Sequence, residues 1–166
     1  MVRLYLCRHG IAEEVREGKI DEERVLTKEG AEKFKRTAKG IARLVKGEKG
    51  CVVFSSPLVR AHQTAELLIR AIEAEETKVV MKSTAHLAPP GNLLRFIREV
   101  RAAGTAVVFA VGHAPVLSEW AGRLCFGKGG RLLMKKGAVA GIDLEDTGLT
   151  GELVMLLQPG TVRRLG

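Results

Sequence analysis

The stretch Leu4-Tyr5-Leu6-Cys7-Arg8-His9-Gly10 decides the fold, because an apolar run ends there in an arginine, a histidine and a glycine. The apolar residues predict a buried β-strand, and the glycine marks the turn that follows it. In open α/β sheets, ligands bind at the carboxyl ends of the strands. Arg8 and His9 therefore stand where a ligand would bind, although the tripeptide taken alone is better explained as a polar turn after an edge strand.

Helical and strand patterns alternate along the rest of the chain. Thr27 is the expected N-cap of a first helix that the glycines at 47 and 50 end, and the serines at 55 and 56 are expected to cap a second. Apolar spacing predicts that this second helix runs to about Ala74, that a third ends before Gly104 and that a fourth spans 116–124. Further apolar runs predict strands at 51–54, 77–81, 105–111, 132–134, 138–144 and 153–157.

This order of elements predicts an α/β fold with a single domain over residues 1–166. The architecture expected is a three-layer α/β/α sandwich around a mostly parallel sheet, with antiparallel strands from the C-terminal part at one side. Residues 11–26 are expected to form a loop with a short helical turn, and residues 160–166 a tail. Right-handed crossovers should bring several strand ends to one crevice.

Four side chains would converge in that crevice: Arg8, His9, Arg60 and His113. Arg60 lies in the first turn of the second helix, beside backbone N–H groups that bind anions, and His113 directly follows the fourth strand. Two guanidinium groups and two imidazoles predict an anion-binding pocket. Three imidazoles, those of His9, His86 and His113, could in principle hold a metal ion, but the two arginines would repel a dication. No metal is therefore predicted.

The composition narrows the class of protein. With 46% hydrophobic and 28% charged residues, it is that of a soluble globular chain. No apolar run approaches the ~20 residues that span a bilayer. The three cysteines are widely spaced and form no disulfide or metal motif. We therefore expect a cytoplasmic protein. A net charge of +8 favours anionic substrates or partners, whereas an aromatic content of 4% offers little for stacking on bases, so nucleic acid is not predicted as a partner.

Four stretches, taken in order, resemble the histidine phosphatase superfamily, also called phosphoglycerate mutase-like. They are Arg8-His9-Gly10, Leu26-Thr27-Lys28-Glu29-Gly30, Ser55-Ser56-Pro57-Leu58-Val59-Arg60-Ala61-His62-Gln63-Thr64-Ala65 and Gly112-His113. Within the superfamily, the chain is most similar to the SixA-type phosphohistidine phosphatases. The features that carry this similarity are the short length and the stretches Leu87-Ala88-Pro89-Pro90-Gly91 and Gln158-Pro159-Gly160.

The resemblance implies a phosphoglycerate mutase-like fold and a two-step phosphoryl transfer that needs no cofactor. His9 would attack phosphorus and become phosphohistidine, which water would then hydrolyse. Arg8, Arg60 and His113 would bind the phosphoryl oxygens and stabilise the charge of the transition state.

One departure from the family bears on the substrate. Members that cleave phosphate esters usually carry a Glu or Asp as general acid after the third strand, where this chain reads Ser83-Thr84-Ala85-His86-Leu87. An alkoxide leaving group needs that proton, worth ~10²–10⁴-fold in rate, and an imidazole needs it far less. The missing carboxylate favours an N-phosphoryl substrate, although His86 or Glu13 could still supply a proton, and His86 is equally compatible with a surface loop histidine.

We therefore expect a phosphatase that acts on protein phosphohistidine, with an open pocket because the loop at 83–91 is too short for a lid. A phosphatase for a small or polymeric phosphate, such as a sugar phosphate or polyphosphate, is the alternative, and a phospho-binding module without catalysis is a third possibility. A basic stretch that no carboxylate interrupts is either a docking surface for an acidic partner or a solvated face, and it comprises Arg123, Lys128, Arg131, Lys135 and Lys136.

Overall fold

A computed structural model describes residues 1–18, 20–127 and 130–165, and these form a three-layer α/β/α sandwich. The central sheet has six strands in the order β3-β2-β4-β1-β5-β6, of which the first four are parallel and β5 and β6 pair antiparallel. The predicted fold class is confirmed. The strands are β1 (Val2–Arg8), β2 (Cys51–Ser55), β3 (Val79–Ser83), β4 (Val107–Gly112), β5 (Val139–Leu144) and β6 (Gly151–Leu157).

Helices cover both faces of the sheet, which explains why the central strands read as unbroken apolar runs. In β1, Leu4 and Leu6 pack into the core on one face, and Tyr5 and Cys7 into the core on the other. The helices are α1 (Lys28–Ala42), α2 (Val59–Glu73), α3 (Leu93–Ala102), α4 (Val116–Phe126) and α5 (Pro159–Leu165).

Each face of the sheet has its own apolar core. Phe34 and Ile41 of α1 and Leu68 of α2 lie in one core, and Phe96 of α3 and Trp120 of α4 stack in the other. Three single 3₁₀ turns interrupt the connections, at Asp21–Glu23, Arg43–Val45 and Ala85–Leu87. The first of them confirms the short helical turn that was expected within 11–26.

The C-terminal part differs from the sequence prediction at two places. Residues 132–134 were predicted as a strand, but they form an irregular segment, because side chains of Arg8 and Gln158 and a carbonyl of α4 take their backbone hydrogen bonds in place of a neighbouring strand. Residues 160–166 were predicted to form a tail. This prediction is wrong for residues 160–165, which belong to α5, and α5 packs against α1. Gly166 lies outside the described residues.

Helix and strand ends shift by a few residues from the prediction. α1 ends at Ala42 and continues as a 3₁₀ turn instead of reaching Gly47. β3 begins two residues late, at Val79, which pairs with Cys51, the first residue of β2. Thr27 caps α1 as predicted, accepting from the N–H of Gly30 at 2.9 Å.

Gly30 fixes how closely α1 approaches the loop that leaves β1. A Cβ built on Gly30 would overlap the carbonyl oxygen of Ile11, whereas one on Gly160 of α5 would meet no atom within 4 Å. We expect Gly30→Ala to lower the free energy of unfolding by about 1–3 kcal/mol because the loop must shift. Gly160→Ala should leave it unchanged or raise it by about 0.5–1 kcal/mol. Chemical denaturation of both variants tests this, and equal effects would contradict the assigned role of Gly30.

Candidate active site

Three adjacent parallel strands end side by side, and each is followed by a polar residue. Arg8 at the end of β1 pairs with Gly112 of β4, and Ser55 at the end of β2 pairs with Val111. The backbone N–H of His9 then donates to the carbonyl of Gly112 at 3.0 Å. These pairings bring the rings of His9 and His113 to a centroid distance of 5.1 Å. The topology therefore creates the histidine pair.

His9 presents one ring nitrogen as a nucleophile. Its Nδ1 lies 2.7 Å from the carbonyl oxygen of Gly10, which can only accept, so Nδ1 carries the proton and Nε2 the free lone pair. The ring is 6% exposed. Burial, with smaller contributions from His113, Arg60 and Arg8, lowers the pKa of His9 to about 3 against the opposing hydrogen bond to Gly10. His9 is therefore neutral at pH 7, as a nitrogen nucleophile must be.

His113 presents a donor instead. Its Nε2 lies 2.8 Å from Oγ of Ser56, and that oxygen already accepts from the backbone N–H of Leu58 at 3.3 Å. We assign the Ser56 hydroxyl as the donor to Nε2, which places the imidazole proton on the buried Nδ1, an atom with no hydrogen-bond partner in the described part of the chain. Burial and the charge of Arg60 lower the pKa of His113 to about 4, with Asp21 opposing them. A neutral His113 with an Nδ1–H donor follows.

The two buried histidines predict a specific pH behaviour. The pKa values of His9 and His113, about 3 and about 4, imply imidazole resonances that stay unshifted from about pH 8 to about pH 5 in an NMR titration. A midpoint near ~6.5 for either ring would contradict this.

Since both pKa values lie below that of the unfolded chain, unfolding takes up protons, and the fold should lose stability as the pH falls from ~6.5 towards ~4.

Arg60 is buried in the first turn of α2 and is held by the loop that follows β1. Its Nη1 donates to the carbonyl of Asp21 at 2.7 Å and its Nη2 to the Asp21 carboxylate at 3.0 Å. Thr64, one turn further on, donates to the Arg60 carbonyl at 2.6 Å and accepts from the N–H of Gly10 at 3.1 Å. Asp21 thus fixes the guanidinium, and Thr64 joins the main chain of Arg60 to the residue that follows His9.

Arg8 is anchored from the opposite side. Its Nη1 donates to the carbonyl of Met134 at 2.7 Å, and burial lowers the pKa of Arg8. Its charge still acts on both histidines, because it lowers the pKa of His9 and of His113. Arg8 and Arg60 therefore act on the histidine pair together, each anchored by its own partner.

Unsatisfied nitrogen atoms gather at this site. Four buried side-chain polar atoms have no hydrogen-bond partner within the described ranges, and three of them are Nε of Arg8, Nε of Arg60 and Nδ1 of His113. Buried polar groups without a partner are costly, and a catalytic role or a bound ion is among the explanations for them. A tetrahedral oxyanion offers enough acceptor oxygens for all three, and two guanidiniums would offset its charge.

The two further residues singled out from the sequence are His86 and Glu13, for which the structure gives other contacts. Nε2 of His86 lies 3.8 Å from the Glu99 carboxylate on α3, and the side chain of His86 is 26% exposed. Among residues 1–18, 20–127 and 130–165, no ion pair or hydrogen bond joins His86 to the two arginines and two histidines of the site. Glu13 has its main chain fixed by the carbonyl of Val25 and the guanidinium of Arg24. The structure thus brings together four of the six predicted residues.

Three contributing residues were not recognised as functional in the sequence. Ser56 was taken as a helix cap, but α2 begins at Val59 without a side-chain cap, and the hydroxyl binds His113. Thr64 was considered only as part of the second helix, and Asp21 only as part of the loop at 11–26. Only Ser56 and Thr64 carried a signal, because both stand within the stretch that resembles the superfamily.

Two kinds of feature are absent from the described part of the chain. No group of three or more His, Cys, Asp or Glu side chains there is arranged to hold a metal ion. None of the helices found in it is both long enough and apolar enough to cross a membrane.

Comparison with known proteins agrees with this geometry. The family model described as histidine phosphatase superfamily (branch 1) matches residues 4–82. An uncharacterized protein of Picosynechococcus sp. is 36% identical over 145 residues, which cover 85% of this chain and 84% of that protein. A solved structure of the protein histidine phosphatase SixA complexed with tungstate superposes with a TM-score of 0.81 at 22% identity, covering 96% and 98% of the two chains.

The alpha-ribazole phosphatase of Shigella flexneri has the same fold, with a TM-score of 0.70 at 17% identity over 95% of this chain and 97% of that one. The structure is thus a phosphoglycerate mutase-like α/β sandwich with two histidines at adjacent strand ends. The chain belongs to the histidine phosphatase superfamily.

Proposed function

We propose that this protein is a phosphatase that hydrolyses phosphohistidine on other proteins through a phosphoenzyme intermediate at His9. The observation that carries the proposal is the pairing of a neutral His9, whose Nε2 keeps its lone pair, with three buried nitrogen atoms of Arg8, Arg60 and His113 that have no hydrogen-bond partner among the described residues. A nucleophile and an oxyanion site side by side are what phosphoryl transfer needs.

In the first step, the lone pair of His9 Nε2 attacks phosphorus and the bond from phosphorus to the substrate nitrogen breaks. The electron pair of that bond stays on the substrate ring, which leaves as a neutral imidazole because its other nitrogen carries a proton. The guanidiniums of Arg8 and Arg60 and the Nδ1–H of His113 donate to the oxygens, where negative charge is spread in the transition state. Their positions are set by Met134, Asp21 and Ser56 before substrate arrives, so the site needs little reorganisation.

In the second step, water attacks phosphorus, the bond to His9 Nε2 breaks, and the protons of the water leave with the released phosphate. The electron pair returns to the ring, which leaves as a neutral imidazole because its surroundings disfavour the imidazolium. The proton on Nδ1 stays bonded to the Gly10 carbonyl throughout, so the ring keeps one orientation in both steps. The His9 ring thus accepts the phosphoryl group in the first step and is the leaving group in the second.

The substrate class is inferred from the leaving group. The segment at 83–91 has no carboxylate, so His86, whose Nε2 lies 3.8 Å from the Glu99 carboxylate, is the residue of that segment that would have to protonate an ester. An ester would need a proton from such a group, whereas an imidazole leaves readily without one. A 3₁₀ turn of three residues, Ala85–Leu87, stands where a lid would be inserted, which supports access by a phosphorylated side chain on a protein.

The His86→Ala variant tests this argument about the leaving group. We expect hydrolysis of free phosphohistidine to stay within about twofold of the wild type and hydrolysis of p-nitrophenyl phosphate or a sugar phosphate to fall by about tenfold or more. His62→Ala, which changes an exposed histidine of α2, is the matched control and should affect neither. Equal losses on both substrates would contradict the leaving-group argument.

The proposed activity is tested by measuring phosphate release from four donors with EDTA present. The donors are free phosphohistidine, a phosphohistidine peptide, an aryl or sugar phosphate ester, and polyphosphate. Fast turnover of the two phosphohistidine donors is expected. A preference for the ester or polyphosphate would show that this donor, and not phosphohistidine, represents the substrate class. No turnover of any donor would refute the proposed phosphatase activity.

A further inference from the structure

We propose that the cleft beside Arg8 binds the polypeptide segment that flanks the phosphorylated histidine, with Leu133 as its apolar contact and Arg131 as the partner of an acidic side chain. This inference rests on the proposed function, since it names the surface by which that site selects protein substrates. The basic stretch in the sequence was predicted either as a docking surface or as a solvated face. Lys128 lies outside the described residues, and among the described members of the stretch it is Arg131 that lines the cleft.

The cleft is continuous with the candidate active site. It has a volume of about 540 Å³ and is lined by Arg8, by Ala114 and Pro115 directly after His113, and by residues 131–134. A volume of several hundred Å³ accommodates several side chains, far more than one phosphoryl group. A phosphoryl group held by Arg8 would therefore leave room beside it for neighbouring residues of its own polypeptide.

The wall formed by residues 131–134 is held in place by its backbone. The N–H of Leu132 donates to the carbonyl of Ser118 at 3.1 Å, and the carbonyl of Leu133 accepts from Nε2 of Gln158 at 2.8 Å. The carbonyl of Met134 accepts from Arg8, and its side chain is buried. These bonds hold the backbone on both sides of Leu133, whose side chain is 74% exposed.

An exposed leucine on a fixed backbone is suited to binding. Burial of its side chain against a partner gains apolar contact, and little conformational entropy is lost because the segment is already ordered. A Cβ built on Gly122 of α4 would overlap the carbonyl oxygen of Gly130, so the segment also packs backbone to backbone on α4. Leu133 is therefore a preorganised contact at the rim of the cleft.

The charge of the cleft defines the rest of the ligand. Arg131 is exposed and lines the cleft with Arg8, and no ion pair in the described part of the chain engages Arg131. From 120 to 142 the sequence has no carboxylate, so local protein groups do not offset this charge. An aspartate or glutamate near the phosphohistidine, together with a large apolar residue, complements the cleft.

The test compares phosphohistidine peptides with free phosphohistidine. Two peptide pools carry leucine and aspartate at the positions on either side of the phosphohistidine, or serine and lysine at the same positions. The variants are Leu133→Asp and Arg131→Glu, and the matched controls are Leu44→Asp and Arg36→Glu, which change exposed residues on and just after α1. The readout is kcat/KM for each pool and for free phosphohistidine.

We expect the wild type and both controls to prefer the leucine–aspartate pool by about tenfold or more. Leu133→Asp and Arg131→Glu should lose that preference, mainly through KM, and retain the wild-type rate on free phosphohistidine. Equal rates on the two pools in the wild type, or an unchanged preference in both variants, would overturn the docking proposal while leaving the phosphatase intact. No hydrolysis of free phosphohistidine by the wild type would instead refute the proposed function.

Discussion

His9→Ala is expected to lower kcat for phosphohistidine hydrolysis by at least about 10⁴-fold, a larger loss than we expect from any other single substitution in the protein. The reason is that no neighbour can take over as nucleophile. The ring of His113 is 2% exposed, and its Nε2 is occupied by Ser56. Without His9, water would have to attack the substrate directly, aided only by the oxyanion donors.

Phosphate release under single-turnover conditions measures this loss, with His62→Ala as the matched histidine control. His9→Gln is a second variant that keeps most of the volume and a polar group near the Gly10 carbonyl, so a loss of folding can be separated from a loss of chemistry. Activity above about one per cent of the wild type in both His9 variants would show that the nucleophile is another group.

Arg60→Ala is expected to lower kcat by about 10³-fold, because an arginine that stabilises a phosphoryl transition state contributes roughly 10³–10⁵. The guanidinium is 5% exposed, and Asp21 fixes two of its nitrogens, so its alignment requires no ordering when substrate binds. Arg60→Lys should recover little of the loss. An ammonium keeps the charge but cannot bind Asp21 and the phosphoryl group in the same fork geometry.

Arg70→Ala is the matched control, since Arg70 is an exposed arginine on the same helix. Thermal unfolding of each variant separates a catalytic loss from a structural one. A kcat for Arg60→Ala within about tenfold of the wild type would contradict the role of Arg60 at the transition state. A wild-type kcat for Arg60→Lys would show that Arg60 acts through its charge alone.

The parallel part of the fold could be predicted because burial on both faces leaves a clear pattern. The apolar runs at β1 and β4 end in Arg8-His9 and Gly112-His113, and the topology of adjacent parallel strands is sufficient to bring the two histidines together. Arg60 could be placed from the start of α2 alone. These positions depend on local periodicity and chain order, which the sequence records directly.

The supporting contacts could not be predicted, because they join segments that are distant along the chain. Asp21 reaches Arg60 from a loop without periodicity, and Met134 offers a carbonyl, which any residue carries. The segment at 132–134 has the composition of a strand, but its hydrogen bonds go to two side chains and to a carbonyl of α4. A short apolar run therefore does not distinguish a strand from the irregular wall of a cleft.

The most direct test of the central claim is to trap the phosphoenzyme. The protein is mixed with phosphohistidine labelled with ³²P, quenched in alkali within milliseconds to preserve a phosphorus–nitrogen bond, and digested so that the label can be assigned to a residue. The account predicts an acid-labile label on His9 that appears and decays at the rate of turnover and is absent from His9→Gln. Turnover by the wild type without label on His9, or undiminished label in His9→Gln, would contradict it.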